Sequence, residues 1–466
     1  MPDIDPAAGP RSSRAPEGVR HSWAGSERPL PRRVLRPLQE FLATSSASAA
    51  LLLLAALVAL VWANSPWSDV YERLWTTDLS VRVDGWSIEL DLRHWVNDGL
   101  MALFFLVVGL EIKRELLIGE LRDPRSAALP IIAAVGGMVA PALLFLLVTV
   151  GTAGSRGWGI PMATDIAFAL GVLTLVARRA PANLKPFLLT LAIVDDIGAI
   201  LVIALFYSGG LALPWLAAAV ALVLLIIGLR RINVRALAVY VVLGAALWAV
   251  TYESGLHPTI AGVVLGLLVP SVPFQRPRAV SAEAVRTADE TQDDPGTPDA
   301  DAPQWLRLAS LSREAVSPLA RVQHVLLPWT SFVIIPIFAL ANAGVSLSAD
   351  AVGAALGSRV TLGVVVGLVL GKILGISAAG WLAVRLGIGR LPTGVGWQHL
   401  IGTAAVAGIG FTVSLFIAEL AFEAPDIRAY AKVGILAASA LAGVAGAVLL
   451  RRAPRAAEGE ALRDNR

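Results

Sequence analysis

The chain has 466 residues, of which 56% are hydrophobic and only 16% are charged, and its mean hydropathy is +0.70. Soluble globular proteins carry about 25% charged residues, so this composition indicates a membrane protein. The absence of cysteine excludes disulfides, thiolate metal sites and thiol nucleophiles. Continuous apolar runs of membrane-spanning length recur along almost the whole chain, which predicts membrane helices rather than a barrel of alternating strands.

The first 40 residues are rich in Arg, Pro, Ser and Gly, and we expect residues 1–40 to be a disordered cytoplasmic tail. They are too long and too polar to begin a signal peptide, so the first apolar run is expected to be a retained helix. Twelve transmembrane helices are predicted, at 48–62, 94–118, 125–150, 159–179, 184–207, 212–230, 235–251, 257–270, 323–345, 360–384, 396–420 and 428–450. The chain then divides into eight helices (41–272), an insertion (273–318), four helices (319–452) and a C-terminal tail (453–466).

The connections between these helices alternate in charge. Arginine and lysine are concentrated in every second connection, including those at 113–125, 178–185, 230–235 and 276–286, together with the flanks of both tails. The positive-inside rule therefore places these connections and both termini in the cytoplasm. An even number of spans agrees with this orientation.

Two connections have distinctive sequences. In the outer loop 65–93, Asp84-Gly85 is flanked by alternating apolar residues and predicts a β-hairpin within 79–90. Its register would place Val83 opposite Trp86 and Val81 opposite Ile88. Because an isolated hairpin is marginal in water, we expect it to pack on the membrane part or on another subunit. The insertion 273–318 is rich in Pro, Asp, Glu, Ala and Thr, and we expect it to be disordered and cytoplasmic.

Charged side chains inside predicted membrane helices carry the functional signal: Asp165, Asp195, Asp196 and Lys372. A carboxylate at the bilayer centre costs roughly 2.5–3.5 kcal/mol, so such residues are usually functional. Lysine can lose its proton when desolvated, whereas arginine effectively cannot. Buried carboxylates with a buried lysine therefore indicate a pathway for cations and protons.

The helices also show an inverted repeat. The third to fifth and the tenth to twelfth predicted helices are offset by seven, an odd number, so the two triplets cross the membrane in opposite senses. The middle helix of each is interrupted, by 159–165 in one and by Gly402, Gly408 and Gly410 in the other. Paired interrupted helices in inverted repeats predict an ion site at the midplane.

Structural roles for these residues stay open beside the functional ones. Asp195 and Asp196 diverge by about 100° on a helix, so they cannot share a proton as facing carboxylates would, but one could belong to a structural ion pair. Asp165 could cap a half-helix or, with Thr164, offer oxygen ligands to a hard cation. Lys372 could reach an interface, although its central place in its helix favours a buried carboxylate partner.

The ordered motifs closely resemble the NhaA family of sodium–proton antiporters, from about residue 38 to about residue 452. The matching stretches are FFLVVGLEIKREL (104–116), ATDIAFALG (163–171), IVDDIGAI (193–200), ANAGV (341–345), GK (371–372) and GIGFT (408–412). The resemblance implies the fold of that family, with two interrupted helices crossing at the midplane, in a bacterial inner membrane. It also implies electrogenic, pH-regulated export of Na⁺ or Li⁺, one cation against two protons, with no cofactor.

The resemblance also implies roles for individual residues. Asp196 would be the principal cation ligand, and Asp195 the second essential carboxylate, paired with Lys372 when no cation is bound. Thr164 and Asp165 would line the helix crossing, and the outer hairpin would be the contact of a homodimer. A last group would form the cytoplasmic funnel and the pH response: Glu111, Arg114, Glu115 and His257. Without the resemblance, the first three of these would be ordinary interfacial anchors, and His257 would be a packing or capping residue.

The sequence departs from the family pattern at three places. The insertion 273–318 is longer than expected, Glu419 stands where a small polar residue is expected, and Leu327 stands where some relatives have histidine.

Three other classes of protein are alternatives to an antiporter. A sodium-coupled symporter of organic solutes would need a cluster of substrate-binding polar residues, and an intramembrane aspartyl protease would need aspartates facing each other from two helices. A non-transporting scaffold would not carry three intramembrane aspartates.

Overall fold

The computed structural model describes residues 45–83, 86–176, 180–234, 237–290 and 301–453. This part of the chain is mainly helical, with one two-stranded sheet. The strands are β1 (Asp78–Val83) and β2 (Trp86–Asp91). In the first half of the chain the helices are α1 (Ser45–Ala63), α2 (Ser68–Trp75), α3 (Leu92–Leu117), α4 (Pro124–Thr149), α5 (Ile166–Val176), α6 (Leu184–Phe206), α7 (Leu213–Arg231), α8 (Leu237–Glu253) and α9 (Thr259–Leu268).

The helices of the second half are α10 (Pro277–Glu290), α11 (Ala302–Glu314), α12 (Pro318–Asn342), α13 (Ala349–Gly357), α14 (Arg359–Arg385), α15 (Trp397–Val406), α16 (Phe411–Ala421) and α17 (Pro425–Arg452). Three of the long helices contain a π-helical turn: Trp95–Leu100 in α3, Thr330–Ile334 in α12 and Val366–Gly371 in α14. Such turns are often found at functional sites. The third one ends at the residue before Lys372.

The described residues include seven helices long and apolar enough to span a membrane, or up to ten if each bent pair of helices counts as one span. Two shorter apolar helices, α8 and α9, follow α7. Each of the twelve predicted segments coincides with one of these helices or pairs. The structure therefore confirms a multi-pass helical protein, and the count of twelve spans stays a prediction.

Two breaks divide helical segments where the sequence predicts interruptions. A 3-10 helix, Ala153–Met162, is followed by α5 at an angle of 48°, and α15 is followed by α16 at 47°. Pro161 lies in the 3-10 helix, and Gly408 and Gly410 lie in the second break. A Cβ on Gly408 would lie 2.4 Å from the Leu368 carbonyl oxygen, so only glycine permits this approach.

The long helices α4 and α14 are held together by direct contact between their backbones. A Cβ on Gly136 would lie 2.4 Å from the Gly375 oxygen, and one on Gly375 would lie 2.1 Å from the Gly136 oxygen. Glycines at such crossings let membrane helices approach closely, where packing rather than the hydrophobic effect holds them together. The contact fixes α14, which carries Lys372, against α4.

The outer hairpin is present in the predicted register. Val81 pairs with Ile88, and Val83 with Trp86, while the turn residues 84–85 lie outside the described part of the chain. Ile88 is buried, whereas Val81 and Leu79 are exposed by 42% and 50%. The hairpin is therefore packed on the protein through one strand and leaves apolar side chains of the other uncovered.

The insertion 273–318 differs from the sequence prediction of disorder. It contains α10 and α11, which contact each other, and its ends are joined by the N–H groups of Phe274 and Gln275, which donate to the Glu314 carbonyl oxygen. Val280, Thr287 and Leu308 are buried, so composition missed a small helical hairpin with its own packed face. Residues 291–300 and the tails predicted at 1–40 and 453–466, apart from Ala453, lie outside the described residues.

Candidate functional site

The two helix breaks are in direct contact. The Asp165 N–H donates to the Ile409 carbonyl oxygen at 2.7 Å, which joins the extended stretch before α5 to the break before α16. The Thr164 hydroxyl lies 2.8 Å from the Ala407 carbonyl oxygen and 2.7 Å from Asp195 Oδ2. Helix ends leave backbone groups without intrahelical partners, and these contacts satisfy several of them.

The Asp165 carboxylate binds the N-terminal ends of both half-helices. Its Oδ1 accepts from the Phe168 N–H at 3.0 Å, and its Oδ2 accepts from the Thr412 N–H at 3.1 Å and the Thr412 hydroxyl at 2.7 Å. A carboxylate at a helix N-terminus gains about 0.3–1 kcal/mol from the helix dipole, and here one side chain serves two helices. The capping role left open by the sequence is therefore present.

Lys372 and Asp195 form an ion pair in which neither side chain is exposed. Lys372 Nζ lies 2.6 Å from Asp195 Oδ2, and it also donates to the Met162 carbonyl oxygen at 2.5 Å and to Thr164 Oγ1 at 3.1 Å. Met162 ends the 3-10 helix, so the ammonium group compensates the negative end of that helix. The interfacial alternative for Lys372 is excluded, because the side chain is fully buried.

Asp196 is also buried, but its carboxylate forms no ion pair with a cationic side chain in the described part of the chain. Its side chain is 4% exposed, and its Oδ1 has no hydrogen-bond partner among the described residues. It lines a cavity of about 410 Å³ together with Thr164, Asp165, Glu111 and Thr412. A buried charged oxygen without a partner is costly, so a proton or a positive ion at Asp196 would lower the free energy of this arrangement.

A second, larger cavity of about 750 Å³ adjoins the first, because Leu170 and Leu189 line both. Its lining includes charged residues at the ends of α3, α4 and α6: Glu115, Glu120, Arg122, Asp123 and Lys185. The Ser126 hydroxyl donates to Asp123 and, with the Arg125 N–H, lowers the pKa of that carboxyl. We call this cavity the vestibule. It lies on the side predicted to be cytoplasmic.

The predicted funnel and pH-response residues fall in different places. Glu111 lines the smaller cavity, and Glu115 lines the vestibule, where it accepts from the Glu120 N–H at 3.1 Å. The Arg114 guanidinium donates to Gln323 Oε1 at 3.5 Å. His257 is separate from them, with its Nε2 at 3.3 Å from Asp98 Oδ1 and its Nδ1 at 2.8 Å from Thr259 Oγ1.

Two site residues were missed at the sequence level. Thr412 was part of a recognised motif but had no role, although a hydroxyl directly after a glycine interruption is a signal for a helix-end contact. The Met162 carbonyl could not have been found, because any residue type offers that oxygen. Among the described residues, no group of three or more His, Cys, Asp or Glu forms a metal centre. A cation bound here would be cargo, held by the oxygen ligands that hard cations prefer.

Comparison with known proteins shows the family of this chain. The family model described as Na⁺/H⁺ antiporter 1 matches residues 39–450. The Na(+)/H(+) antiporter NhaA 3 of Frankia alni is 48% identical over 420 residues, covering 90% of this chain and 89% of the relative. The Na(+)/H(+) antiporter NhaA of Anaeromyxobacter sp. strain Fw109-5 is also 48% identical, over 435 residues, covering 92% and 93%. NhaA 2 of Sorangium cellulosum is 45% identical over 448 residues, covering 95% of each chain.

Among solved structures, that of a sodium proton antiporter from Methanocaldococcus jannaschii covers 90% of this chain and 98% of its own, with a TM-score of 0.44 and 13% identity. At that TM-score the likeness adds nothing to the assignment, which rests on the family match. The match leaves no support for the symporter, protease and scaffold alternatives. The chain therefore belongs to the Na⁺/H⁺ antiporter 1 family: it is a multi-pass membrane protein that exchanges sodium ions for protons, and it is a transporter rather than an enzyme.

Proposed function

We propose that the cation and the protons compete for the buried carboxylates of Asp196 and Asp195. The observation that carries this proposal is the Asp196 carboxylate, which is buried, lines a cavity next to the vestibule and has an oxygen without a hydrogen-bond partner among the described residues. A sodium ion or a proton would each satisfy that oxygen, but not both together. Binding of one therefore releases the other, which is the requirement for antiport.

Lys372 would provide the second proton of the exchange. In the observed state its ammonium group neutralises Asp195. A cation that binds between Asp196 and Asp195 would displace one proton from the Asp196 carboxyl. It would also weaken the ion pair, so that the Lys372 ammonium group loses a second proton. Two protons would then be exchanged for one Na⁺ or Li⁺, so transport is electrogenic. Glu111, Glu115 and Arg114 would form the entry path from the cytoplasm, and His257 would contribute to the pH response.

The proposed architecture is twelve spans in inverted repeats, with both termini in the cytoplasm. It is supported by the similar bends of 48° and 47° in the two broken segments, which lie in the two triplets predicted to be related. The protein would form a homodimer through the outer hairpin, 79–90. Leu79 and Val81, half exposed on β1, offer apolar surface for that contact.

The test is dequenching of a pH-sensitive dye in inverted membrane vesicles on addition of Na⁺, Li⁺ or K⁺. We expect Na⁺ and Li⁺, but not K⁺, to release protons. The half-saturating Na⁺ concentration should rise by up to about tenfold per pH unit and per competing proton as the medium is acidified, because binding is linked. A half-saturating concentration independent of pH across the active range would rule out shared-site competition.

The variant Asp196→Asn tests whether this exchange depends on Asp196. Asp196→Asn keeps the size of the side chain but removes the charge, and we expect it to abolish sodium-driven proton release while leaving the protein in the membrane. Asp350→Asn removes an exposed carboxylate at the start of α13 that lines neither cavity, so it is the matched control and should retain exchange. Near-normal exchange by Asp196→Asn at saturating Na⁺ would remove Asp196 from the site.

A further inference from the structure

A second cluster of buried charges lies at the opposite end of α16 from Thr412. Glu419 Oε1 lies 2.5 Å from Lys432 Nζ, and Glu419 Oε2 lies 3.0 Å from the Arg428 guanidinium. The side chains of Glu419 and Lys432 are 7% and 9% exposed, and that of Arg428 is 27% exposed. Arg428 also donates to the carbonyl oxygens of Phe422 and Glu423, just beyond the helix end. We call Glu419, Lys432 and Arg428 the α16 end cluster.

The α16 end cluster does not touch the ion site. None of its three side chains lines the cavity that contains Asp196. The two regions are joined by α16 itself, since Thr412 binds Asp165 at the N-terminal end of the helix and Glu419 is seven residues further on. At 1.5 Å per residue, this is a separation of about 10 Å along the helix axis. The α16 end cluster therefore does not contact a cation bound at Asp196, and it can act on that cation only through its electrostatic field.

In this cluster one carboxylate faces two cationic side chains. Arg93 of α3 also acts on Glu419 and Lys432, but its own charge is paired with Glu72. Without Glu419, the charges of Lys432 and Arg428 would act on the ion site through a helix and side chains rather than through water. For unit charges about 15 Å apart at an effective dielectric constant of about 20, the interaction changes an equilibrium constant about sixfold. An exposed charge at the same distance is largely screened, since the Debye length is about 8 Å at physiological ionic strength.

We propose that Glu419 sets the affinity of the ion site for sodium by neutralising the buried positive charge at the far end of α16. This inference rests on the proposed cation site at Asp196. Glu419 acts through the field at the site, so it is an affinity-determining residue rather than a cation ligand. It also gives a role to the one acidic residue of α16, at a position where the family resemblance predicts a small polar residue.

Three variants separate this role from a structural one. Glu419→Gln adds one net positive charge, Lys432→Met adds one net negative charge, and the double variant leaves the net charge of the cluster unchanged. At a pH high enough that the half-saturating Na⁺ concentration no longer depends on pH, so that protons do not compete, we expect it to rise about three- to sixfold in the first variant. We expect it to fall by a similar factor in the second and to return near the wild-type value in the double variant. A residue that only holds α16 in place would instead give shifts of the same sign in both single variants.

The matched control is Glu423→Gln. Glu423 follows the same helix and its side chain is exposed, so solvent screens the loss of its charge. We expect its half-saturating Na⁺ concentration to stay at the wild-type value. Three results would each overturn the proposal. They are shifts of the same sign in both single variants, no shift in either of them, and a shift in Glu423→Gln equal to that in Glu419→Gln.

Breaking a buried ion pair can prevent folding. If either single variant fails to reach the membrane, Arg428→Gln is measured as well, since Arg428 is more exposed and its loss lowers the net charge of the cluster by one, as the loss of Lys432 does. A half-saturating Na⁺ concentration that does not fall in Arg428→Gln would then overturn the proposal. Asp196→Asn is measured in parallel to separate the proposed ion site from the role of Glu419. If Asp196→Asn retains exchange, the ion site itself is rejected. If Asp196→Asn loses exchange and the Glu419 variants show no shift, only the role of Glu419 is rejected.

Discussion

Lys372 Nζ lies 2.6 Å from Asp195 Oδ2, while the adjacent carboxylate of Asp196 faces a cavity with no such partner. Two consecutive residues of α6 therefore have opposite surroundings. The cause is the helical period, which turns neighbouring side chains apart by about 100°. One carboxylate faces α14 and its lysine, and the other faces the space between α3, α5 and α12.

The first prediction concerns the Lys372–Asp195 pair. Lys372→Ala leaves a buried carboxylate without its partner, which costs roughly 3–5 kcal/mol when one member of a buried pair is removed. We expect a clearly lower melting temperature in detergent. Combining Lys372→Met with Asp195→Asn removes both charges and should restore most of the stability without restoring transport. Unchanged melting of Lys372→Ala would show that the pair is not a source of stability.

The second prediction concerns the contact between Thr412 and Asp165. Thr412→Val keeps the shape of the side chain but removes the hydroxyl that donates to Asp165 Oδ2 at 2.7 Å. A hydrogen bond to a charged group contributes about 1.5–3 kcal/mol, so we expect lower thermal stability and weaker sodium-driven exchange.

Two variants control for this effect. Thr412→Ser keeps the hydroxyl and should behave like the wild type. Thr149→Val removes a buried hydroxyl that only donates to the Phe145 carbonyl oxygen within α4, and it should cost less. Equal losses in Thr412→Val and Thr149→Val would argue that Asp165 gains nothing particular from the hydroxyl.

The third prediction concerns the contact between α4 and α14. Gly136→Ala places a Cβ 2.4 Å from both the Gly375 oxygen and the Ala379 Cβ, so the helices must separate. Overpacking of this kind costs about 1–3 kcal/mol, and melting in detergent should report it. Gly353→Ala in α13, where a Cβ meets no atom within 4 Å, should be neutral or stabilising. Equal melting temperatures of the two variants would contradict the close contact.

The fourth prediction concerns the outer hairpin. Replacing Leu79 and Val81 by serine removes exposed apolar surface from β1 and keeps the hairpin, and we expect weaker dimers in detergent with transport retained. Arg82→Ser is the control, because Arg82 forms only an exposed ion pair with Glu89 at 3.0 Å, which contributes about 0–1 kcal/mol. Dimers that resist dilution as well as the wild type would exclude this surface as the contact.

The sequence alone was sufficient for the class of protein, the positions of the apolar helices, the two interruptions and the register of the hairpin. These features depend on local chemistry. Continuous apolar runs must form helices in a membrane because every backbone group needs a partner within the segment. An Asp-Gly turn sets the register of its two strands. The costly charges at Asp165, Asp195, Asp196 and Lys372 were visible for the same reason, since each contradicts the apolar run around it.

Only the tertiary structure decided which charge meets which. Lys372 and Asp195 are separated by 177 positions, and Asp165 and Thr412 by 247, so no periodicity relates them. The sequence marked Glu419 only as a departure from the family pattern, yet its side chain is buried between Lys432 and Arg428 because α16 packs against α17. Composition likewise favoured disorder in 273–318, whereas α10 and α11 bury apolar residues against each other. In each case the deciding contact joins distant parts of the chain, and its free energy exists only once the helices have packed.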